Sequence, residues 1–303
     1  MILAVLLKQV EFIYARSGKD PERHFVGRFD RVHLNNPLDE VALEQAVRIK
    51  ETLGEGRVFI LSFGERLLEK EAVRALAMGA DHFVHLGGAS WGELDAWATA
   101  VILSAAVRKV SADLVLCGAA SLDQGRGEVG MYVAGWLSAP YVPQVVGLTV
   151  LQGGRTLLIE RALGKGEREE LEADPPLVLA AAKGLCAPRY PCLAERVRAR
   201  DKEIWHWGLE DLDLEPGDLE GRVRLGPLLS PRPRTKWIPL LDGRLPAPDR
   251  IEWLLAGSGG EKGGAVIEGR PRELAIKLLD FLREKKLAPG KGSEEQADGG
   301  RAL

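Results

Sequence analysis

Short apolar runs alternate with amphipathic segments over roughly the first 140 residues of this chain. The apolar runs are too short for helices and continuous enough for strands buried on both faces; they cover 2–7, 57–64, 82–87 and 112–120. The segments between and after them have helical spacing of apolar residues and cover 36–54, 65–81, 93–110 and 127–140. This alternation predicts right-handed βαβ units and therefore a parallel sheet with flanking helices.

From about residue 142 the pattern changes. Two strand-like runs flank a Gly-Gly turn at 153–154, which predicts an antiparallel hairpin, and 177–184 is a further strand. We predict four parts: an α/β domain over 1–208, an extended Pro- and Gly-rich arm over 209–269, a C-terminal helix over 270–288 and a disordered tail over 289–303. The arm carries apolar residues such as Trp237 and Trp253, which either pack on this chain or wrap a partner subunit.

Composition excludes some classes of function. The formal net charge is −3, which gives no global attraction to nucleic acid or to an anionic membrane. The three cysteines are scattered, without disulfide-framework or metal-ligand spacing, and fit a reducing compartment. The apolar start is too short for a signal peptide, and no run approaches the roughly 20 residues of a membrane span. We expect a cytoplasmic protein without a membrane span.

The sequence "DQGRGEVG" at 123–130 lies where a predicted strand leads into a helix. Glycines let a backbone approach a ligand closely, and the free N–H groups at a helix N-terminus suit phosphate. The glycine spacing matches neither the P-loop nor the dinucleotide-binding fingerprint, and an ordinary strand–helix loop remains an alternative.

A second candidate is "NNPLDE" at 35–40. Asn36 and Pro37 are explained fully by a helix cap and a first helical turn. However, this loop, the end of the strand at 62–64 and the 123–130 loop emerge at the same edge of a parallel sheet, which favours an adenine or ribose pocket there.

Catalytic motifs are missing from the sequence. There is no G-x-S-x-G elbow, no H-E-x-x-H motif and no ligand spacing among the histidines. A nucleotide pocket without catalytic groups favours binding or electron carriage over enzymatic activity. An adenine-nucleotide-binding sensor or hydrolase of the universal-stress type remains an alternative.

Five segments together resemble the electron transfer flavoprotein β-subunit family, including its nitrogen-fixation-type and electron-bifurcating relatives. They are "LLKQV" (6–10), "NPLDEVALEQAVRIKE" (36–51), "LAMGAD" (76–81), "DLVLCGAASLDQGRGEVG" (113–130) and "APRYPCL" (187–193). The resemblance implies a heterodimer with an α subunit that holds the redox-active FAD. It also implies electron transfer from dehydrogenases, such as acyl-CoA dehydrogenases, towards a quinone oxidoreductase, with AMP or a second FAD in the β-subunit pocket.

Residues matched by position to the family's nucleotide pocket follow the first two strands or form the glycine-containing loop. They are Leu6, Lys8, Asn36, Pro37, Leu38, Asp39, Phe63, Asp123, Gln124, Gly125, Arg126, Gly127, Glu128, Val129 and Gly130. The resemblance also marks Leu193 as the anchor of a partner-recognition loop.

The loop departs from the family's usual Asp-Gly-Asp-Thr-Gly-Gln-Val-Gly at two charged positions. Arg126 stands in place of the threonine and is suited to pair with phosphate. Glu128 stands in place of the glutamine and would repel phosphate. The two substitutions therefore put one favourable and one unfavourable charge where the phosphate is expected.

Overall fold

The structure is a computed structural model, and it describes residues 1–13, 31–87, 94–151, 156–223, 245–255 and 269–284. The chain divides into two compact units, Met1–Gly226 and Pro227–Leu303. The strands are β1 (Ile2–Leu6), β2 (Gln9–Ile13), β3 (Arg31–Asn35), β4 (Arg57–Phe63), β5 (His82–Leu86), β6 (Leu114–Gly118), β7 (Tyr141–Val150), β8 (Leu157–Gly164), β9 (Glu167–Ala173), β10 (Leu177–Ala181) and β11 (Ile204–Trp207). The α-helices are α1 (Pro37–Leu53), α2 (Glu69–Ala77), α3 (Ala96–Val110), α4 (Val129–Leu137), α5 (Leu193–Arg200), α6 (Ala247–Leu255) and α7 (Pro271–Glu284).

A nine-stranded sheet forms the centre of the first unit, in the order β11-β5-β4-β1-β6-β10-β7-β8-β9. Neighbours from β11 to β7 pair in parallel, whereas β7, β8 and β9 pair antiparallel. The predicted fold class, a parallel sheet with flanking helices and an antiparallel hairpin, is confirmed. The chain leaves β1 towards β4 on one side and later returns to β6 on the other, which creates a topological switch point beside β1.

The core has two parts, one on each face of the sheet. Successive residues of β1 point to opposite faces, so Leu3 and Val5 pack in one part and Ala4 and Leu6 in the other. Helices α1 and α2 cover the first part, and α3 and α4 cover the second. Burial on both faces explains why the strand at 2–6 is apolar throughout.

Several helices are shorter than predicted. We predicted a helix over 65–81, but α2 begins only at Glu69, because the backbone N–H and C=O of Leu68 are bonded to the side chain of Gln9 at 2.7 and 3.1 Å. We predicted a helix over 127–140, but α4 ends at Leu137, because Ser138 adopts a left-handed φ of 52° ahead of β7.

The first unit extends beyond the predicted domain end at residue 208. Two 3₁₀ helices, Glu210–Leu212 and Pro216–Leu219, follow β11. Their residues Leu212 and Leu219 are buried in the second part of the core, which α3 and α4 cover. This burial explains why the compact unit runs to Gly226.

The predicted arm also contains a helix, α6, where we expected extended chain. The C-terminal helix predicted over 270–288 is present as α7, while Trp237 and the predicted tail at 289–303 lie outside the described residues. Among the residues that the structure describes, no helix is long and apolar enough to cross a membrane.

Candidate functional site

A cavity of about 300 Å³ opens at the carboxyl ends of β1, β4 and β6, beside the switch point. Most of the residues predicted for the nucleotide pocket line it: Leu6, Lys8, Asn36, Asp39, Phe63, Gln124, Arg126, Gly127, Glu128, Val129 and Gly130. The end of β1 and the 123–130 loop, which are distant in sequence, therefore meet at one site.

Four predicted residues lie beside the cavity without lining it. Pro37 is in the first turn of α1, and Leu38 packs so closely on Gly118 that a Cβ on that glycine would be 2.8 Å from the Cβ of Leu38. The carboxylate of Asp123 forms an ion pair with Lys8, and the backbone of Gly125 is left-handed, with a φ of +67°. Each of these four residues is next in sequence to a residue that lines the cavity.

One wall was not predicted from the sequence. Helix α3 contributes Ala96, Thr99 and Leu103, and the chain just before it contributes Leu94. Helix α3 has the pattern of an ordinary core helix, so its periodicity gave no signal for a site. The strand order could have provided one, since the crossover from β5 to β6 carries α3 past the end of β1.

Asn36 organises the site in a way that differs from the predicted helix cap. It occupies the N-cap position of α1, but its side chain makes no capping hydrogen bond. Its amide nitrogen donates to the carbonyl of Ala120 and its amide oxygen accepts from the N–H of Leu122, both at 3.0 Å. Asn36 therefore fastens the start of the β6–α4 loop to the start of α1.

Asp39 is a buried carboxylate that joins two strand ends. Its oxygens accept from the backbone N–H of Lys8 and of Gly118, each at 2.8 Å. Burial raises the pKa of Asp39 from 3.8 to about 6, although hydrogen bonds from Lys8, Asn36 and Gly118 work in the opposite direction. Asp39 therefore holds β1 and β6 in the register that forms the floor of the cavity.

Lys8 and Asp123 form an ion pair at the mouth of the cavity, with Nζ 2.6 Å from Oδ2. Partial burial alone would raise the pKa of Asp123, but hydrogen bonds from Lys8 and neighbouring groups bring it below its usual value. The charge of Lys8 is thus already compensated within the chain.

The glycines of the loop are needed for close approach. Gly127 has a φ of +68°, and a Cβ there would lie 2.4 Å from the carbonyl oxygen of Ala119. At Gly130 a Cβ would lie 2.6 Å from the sulfur of Cys117, which brings the first turn of α4 onto β6. The first turn of α4, whose backbone N–H groups lack partners within the helix, therefore lies at the cavity wall.

Two charged loop side chains are available to a ligand. Arg126 is exposed, and within the described part of the chain no hydrogen bond or ion pair engages its guanidinium. Glu128 is at the N-cap position of α4 and makes no capping hydrogen bond. The cavity rim therefore offers one uncompensated cation and one carboxylate near a helix N-terminus.

A second predicted feature, the partner-recognition loop, lies away from the cavity. Leu193 is the first residue of α5 and is 78% exposed, and Tyr190 just before it is 81% exposed. Arg189 was not singled out from the sequence, yet it contacts both Glu44 and Glu51 of α1. A single arginine in a basic stretch carries no sequence signal for such a contact.

The described residues contain no group of three or more His, Cys, Asp or Glu side chains that could hold a metal ion. Cys117 lines the cavity, but burial raises the pKa of its thiol, which disfavours the reactive thiolate. What the arrangement offers is a preformed pocket with an apolar wall, backbone N–H groups and Arg126. Its chemistry is that of ligand binding.

Comparison with known proteins agrees with this geometry. A family model described as "Electron transfer flavoprotein domain" matches residues 29–212. The electron transfer flavoprotein subunit beta of Thermoanaerobacterium thermosaccharolyticum is 37% identical over 220 residues, which are 72% of this chain and 83% of the relative. The subunit beta of Homo sapiens is 33% identical over 220 residues, 71% of this chain and 81% of the relative.

The relatives also include the caffeyl-CoA reductase-Etf complex subunit CarD of Acetobacterium woodii, 32% identical over 65% of this chain and 74% of that protein. The alternative of a universal-stress-type sensor or hydrolase is not supported by any of these matches. Taken with the parallel sheet and the cavity at its switch point, they lead to one conclusion: the chain belongs to the electron transfer flavoprotein β-subunit family.

Proposed function

We propose that this chain is the β subunit of a heterodimeric electron transfer flavoprotein and is not an enzyme by itself. The heterodimer accepts electrons from dehydrogenases, for example acyl-CoA dehydrogenases, through an FAD held together with the α subunit. It passes them towards a quinone oxidoreductase. Family membership supports the electron-transfer role, and the composition of the chain supports a cytoplasmic location.

The cavity beside β1 is the observation that carries the proposal for a nucleotide. We propose that it binds AMP as a structural ligand. The apolar side chains of Leu6, Phe63 and Leu103 suit an adenine ring, and Arg126 with the N-terminus of α4 suits a phosphate. A volume of about 300 Å³ is at the lower end of the range for ligand pockets, about 300–1,000 Å³, which favours a mononucleotide over a dinucleotide.

A second candidate is that the same cavity holds part of a second FAD, as expected for a bifurcating β subunit. Two observations favour it: the similarity to CarD of Acetobacterium woodii, and the exposed Arg126, whose fork is suited to more than one phosphate oxygen. Both candidates place the phosphate at the same loop. They differ in the number of flavins per heterodimer.

The second unit supports the proposed heterodimer. Its helix α7 has exposed apolar side chains at Leu278 and Phe281, which are three residues apart and therefore lie on one face of the helix. We propose that the arm and this helix contact the α subunit, because an apolar helix face of this kind favours burial against another protein.

The test is to co-produce the chain with the α subunit of the same organism and to identify the nucleotides released from the purified complex by mass spectrometry. One FAD and one AMP per heterodimer are expected. Two FAD per heterodimer would support the bifurcating candidate instead. A chain that purifies without an α subunit and that hydrolyses ATP would contradict the proposed function altogether.

A further inference from the structure

The segment that precedes α5 is fastened to α1 by hydrogen bonds from three successive parts of the chain. The thiol of Cys186 lies 3.4 Å from the carbonyl oxygen of Val41. Arg48 donates to the carbonyl of Ala187 at 3.3 Å. The backbone N–H of Arg189 donates to Glu44 at 3.0 Å. The segment therefore follows the surface of α1 up to residue 189.

The side chain of Arg189 makes the strongest of these attachments. It donates to the two carboxylate oxygens of Glu44 at 2.8 and 3.2 Å, and to those of Glu51 at 2.6 and 2.9 Å. Two bidentate contacts fix the guanidinium in both position and plane, which a lysine ammonium cannot reproduce. The carboxylate of Glu44 is almost completely buried, so this contact is protected from water.

Immediately after Arg189 the chain exposes apolar side chains. We call Tyr190, Leu193 and Val197 the docking face; all three are exposed, and Leu193 and Val197 are one helical turn apart on α5. The guanidinium of Arg196 lies over the ring of Tyr190, 5.8 Å from its centre, in a cation–π contact. An exposed apolar face that begins next to a doubly anchored residue has little freedom to lose when a partner covers it.

The charge around the docking face is positive. Helix α5 carries Arg196, Arg198 and Arg200, and its acidic residue Glu195 accepts a hydrogen bond from the backbone N–H of Cys192 at 2.7 Å. Positive charge around an apolar centre complements a partner surface that has an apolar pocket with an acidic rim.

We propose that Arg189 is a positioning residue for electron-donor docking: its contacts with Glu44 and Glu51 hold the docking face in the conformation that an acidic-rimmed apolar pocket of the donor dehydrogenase accepts. This inference rests on the proposed function and on Leu193 as the anchor for the donor, a role that the family resemblance implies. Arg189 does not touch the donor in this account. It acts through Leu193 and Tyr190 by lowering the cost of ordering them.

The test uses the complete heterodimer as the substrate of an acyl-CoA dehydrogenase from the same organism. Initial rates of flavin reduction at increasing heterodimer concentration give KM and kcat. For Arg189→Lys we expect KM to rise about tenfold with kcat nearly unchanged, because binding is weakened and the chemistry is not. Direct reduction of the flavin by dithionite should be unaffected. The matched control is Arg168→Lys on β9, whose arginine pairs with Glu160 on the neighbouring strand β8, and it should keep the parental KM.

The double variant Arg189→Lys/Leu193→Ala separates positioning from general stabilisation. If Arg189 acts through Leu193, the double variant has about the KM of Leu193→Ala alone, since the anchor that Arg189 positions is already missing. Parental KM in Arg189→Lys, or an additive rise in the double variant, would overturn the inference while leaving the proposed function intact. Parental KM in Leu193→Ala would instead overturn the proposed docking by Leu193, and this inference with it.

Discussion

Gly125 and Gly127 have nearly the same backbone conformation but different surroundings. Their φ angles are +67° and +68°, so a side chain at either position is strained. At Gly125 the nearest atom to a Cβ would be 3.9 Å away, whereas at Gly127 it would be the carbonyl oxygen of Ala119 at 2.4 Å. The two residues therefore separate the requirement for a left-handed turn from the requirement for close approach.

We predict that Gly127→Ala weakens nucleotide binding far more than Gly125→Ala does. Both variants should lose about 1–2 kcal/mol of stability from the left-handed conformation. Only Gly127→Ala must also move the loop away from Ala119, which should raise the Kd for AMP at least about tenfold. Isothermal titration of the nucleotide-stripped heterodimer measures both values. Equal affinities in the two variants would show that the close approach has no role in binding.

Asp39 should make stability depend on pH. Because its pKa is raised in the folded state to about 6 from 3.8, the folded chain binds this proton more tightly than the unfolded chain does. Stability from this group is therefore fully present below about pH 4 and is lost as the pH rises through 6, by about 3 kcal/mol.

The variant Asp39→Asn removes this titration. We predict that the free energy of unfolding of the parent, minus that of the variant, falls by about 3 kcal/mol between pH 4 and pH 7. Urea denaturation across this range measures the difference. If the two stability curves run parallel, the carboxyl group of Asp39 does not have a raised pKa.

Substitutions in the two 3₁₀ helices after β11 test whether the first unit includes these helices. Leu212 and Leu219 are buried against α3, so each substitution to alanine should cost about 2–5 kcal/mol, the usual range for a buried leucine. Leu163→Ala is a suitable control, because Leu163 is exposed and should change stability by less than about 0.5 kcal/mol. Equal unfolding free energies in Leu212→Ala, Leu219→Ala and Leu163→Ala would indicate that the first unit ends at residue 208.

Elements that are buried on both faces could be predicted from the sequence, and elements at the sheet margin could not. Strand β9 reads "EREELEA", and alternate residues remain exposed, so its charges resemble those of a loop. Among the strands that the structure describes, β2 and β3 pair only with each other, so neither has the apolar run of a central strand. Helix ends also escaped prediction where a distant side chain decides them, as Gln9 does for α2.

The candidate site, like the fold, could be predicted from the sequence only in part. Strand ends and glycine-containing loops have local signals, so the loops at 35–40 and 123–130 were expected at this edge of the sheet, whereas Leu6 was expected from the family resemblance. The wall formed by α3 and the contacts of Arg189 with α1 depend on which elements become neighbours. That information is in the topology and not in any local pattern, as is the connection from Asn36 to Leu122.

At the scale of the whole molecule, the chain consists of two units. The first is an α/β unit with a nucleotide-sized cavity, and the second contains the exposed amphipathic helix α7. The described residues that line the cavity belong to the first unit. We therefore expect nucleotide binding to depend on the carboxyl ends of β1 and β6 in this chain, independently of how the α subunit holds the FAD.

The most direct test of the central claim is to locate the nucleotide on the chain. The nucleotide-stripped heterodimer is labelled with a photoreactive azido analogue of AMP, digested and analysed by mass spectrometry. We predict labels confined to peptides of this chain that carry the cavity walls, 6–9, 36–39, 61–64, 94–103 and 117–130, and we predict that excess AMP suppresses them. Labels that AMP does not suppress, or labels only on other peptides, would contradict the assignment of this cavity as the nucleotide site.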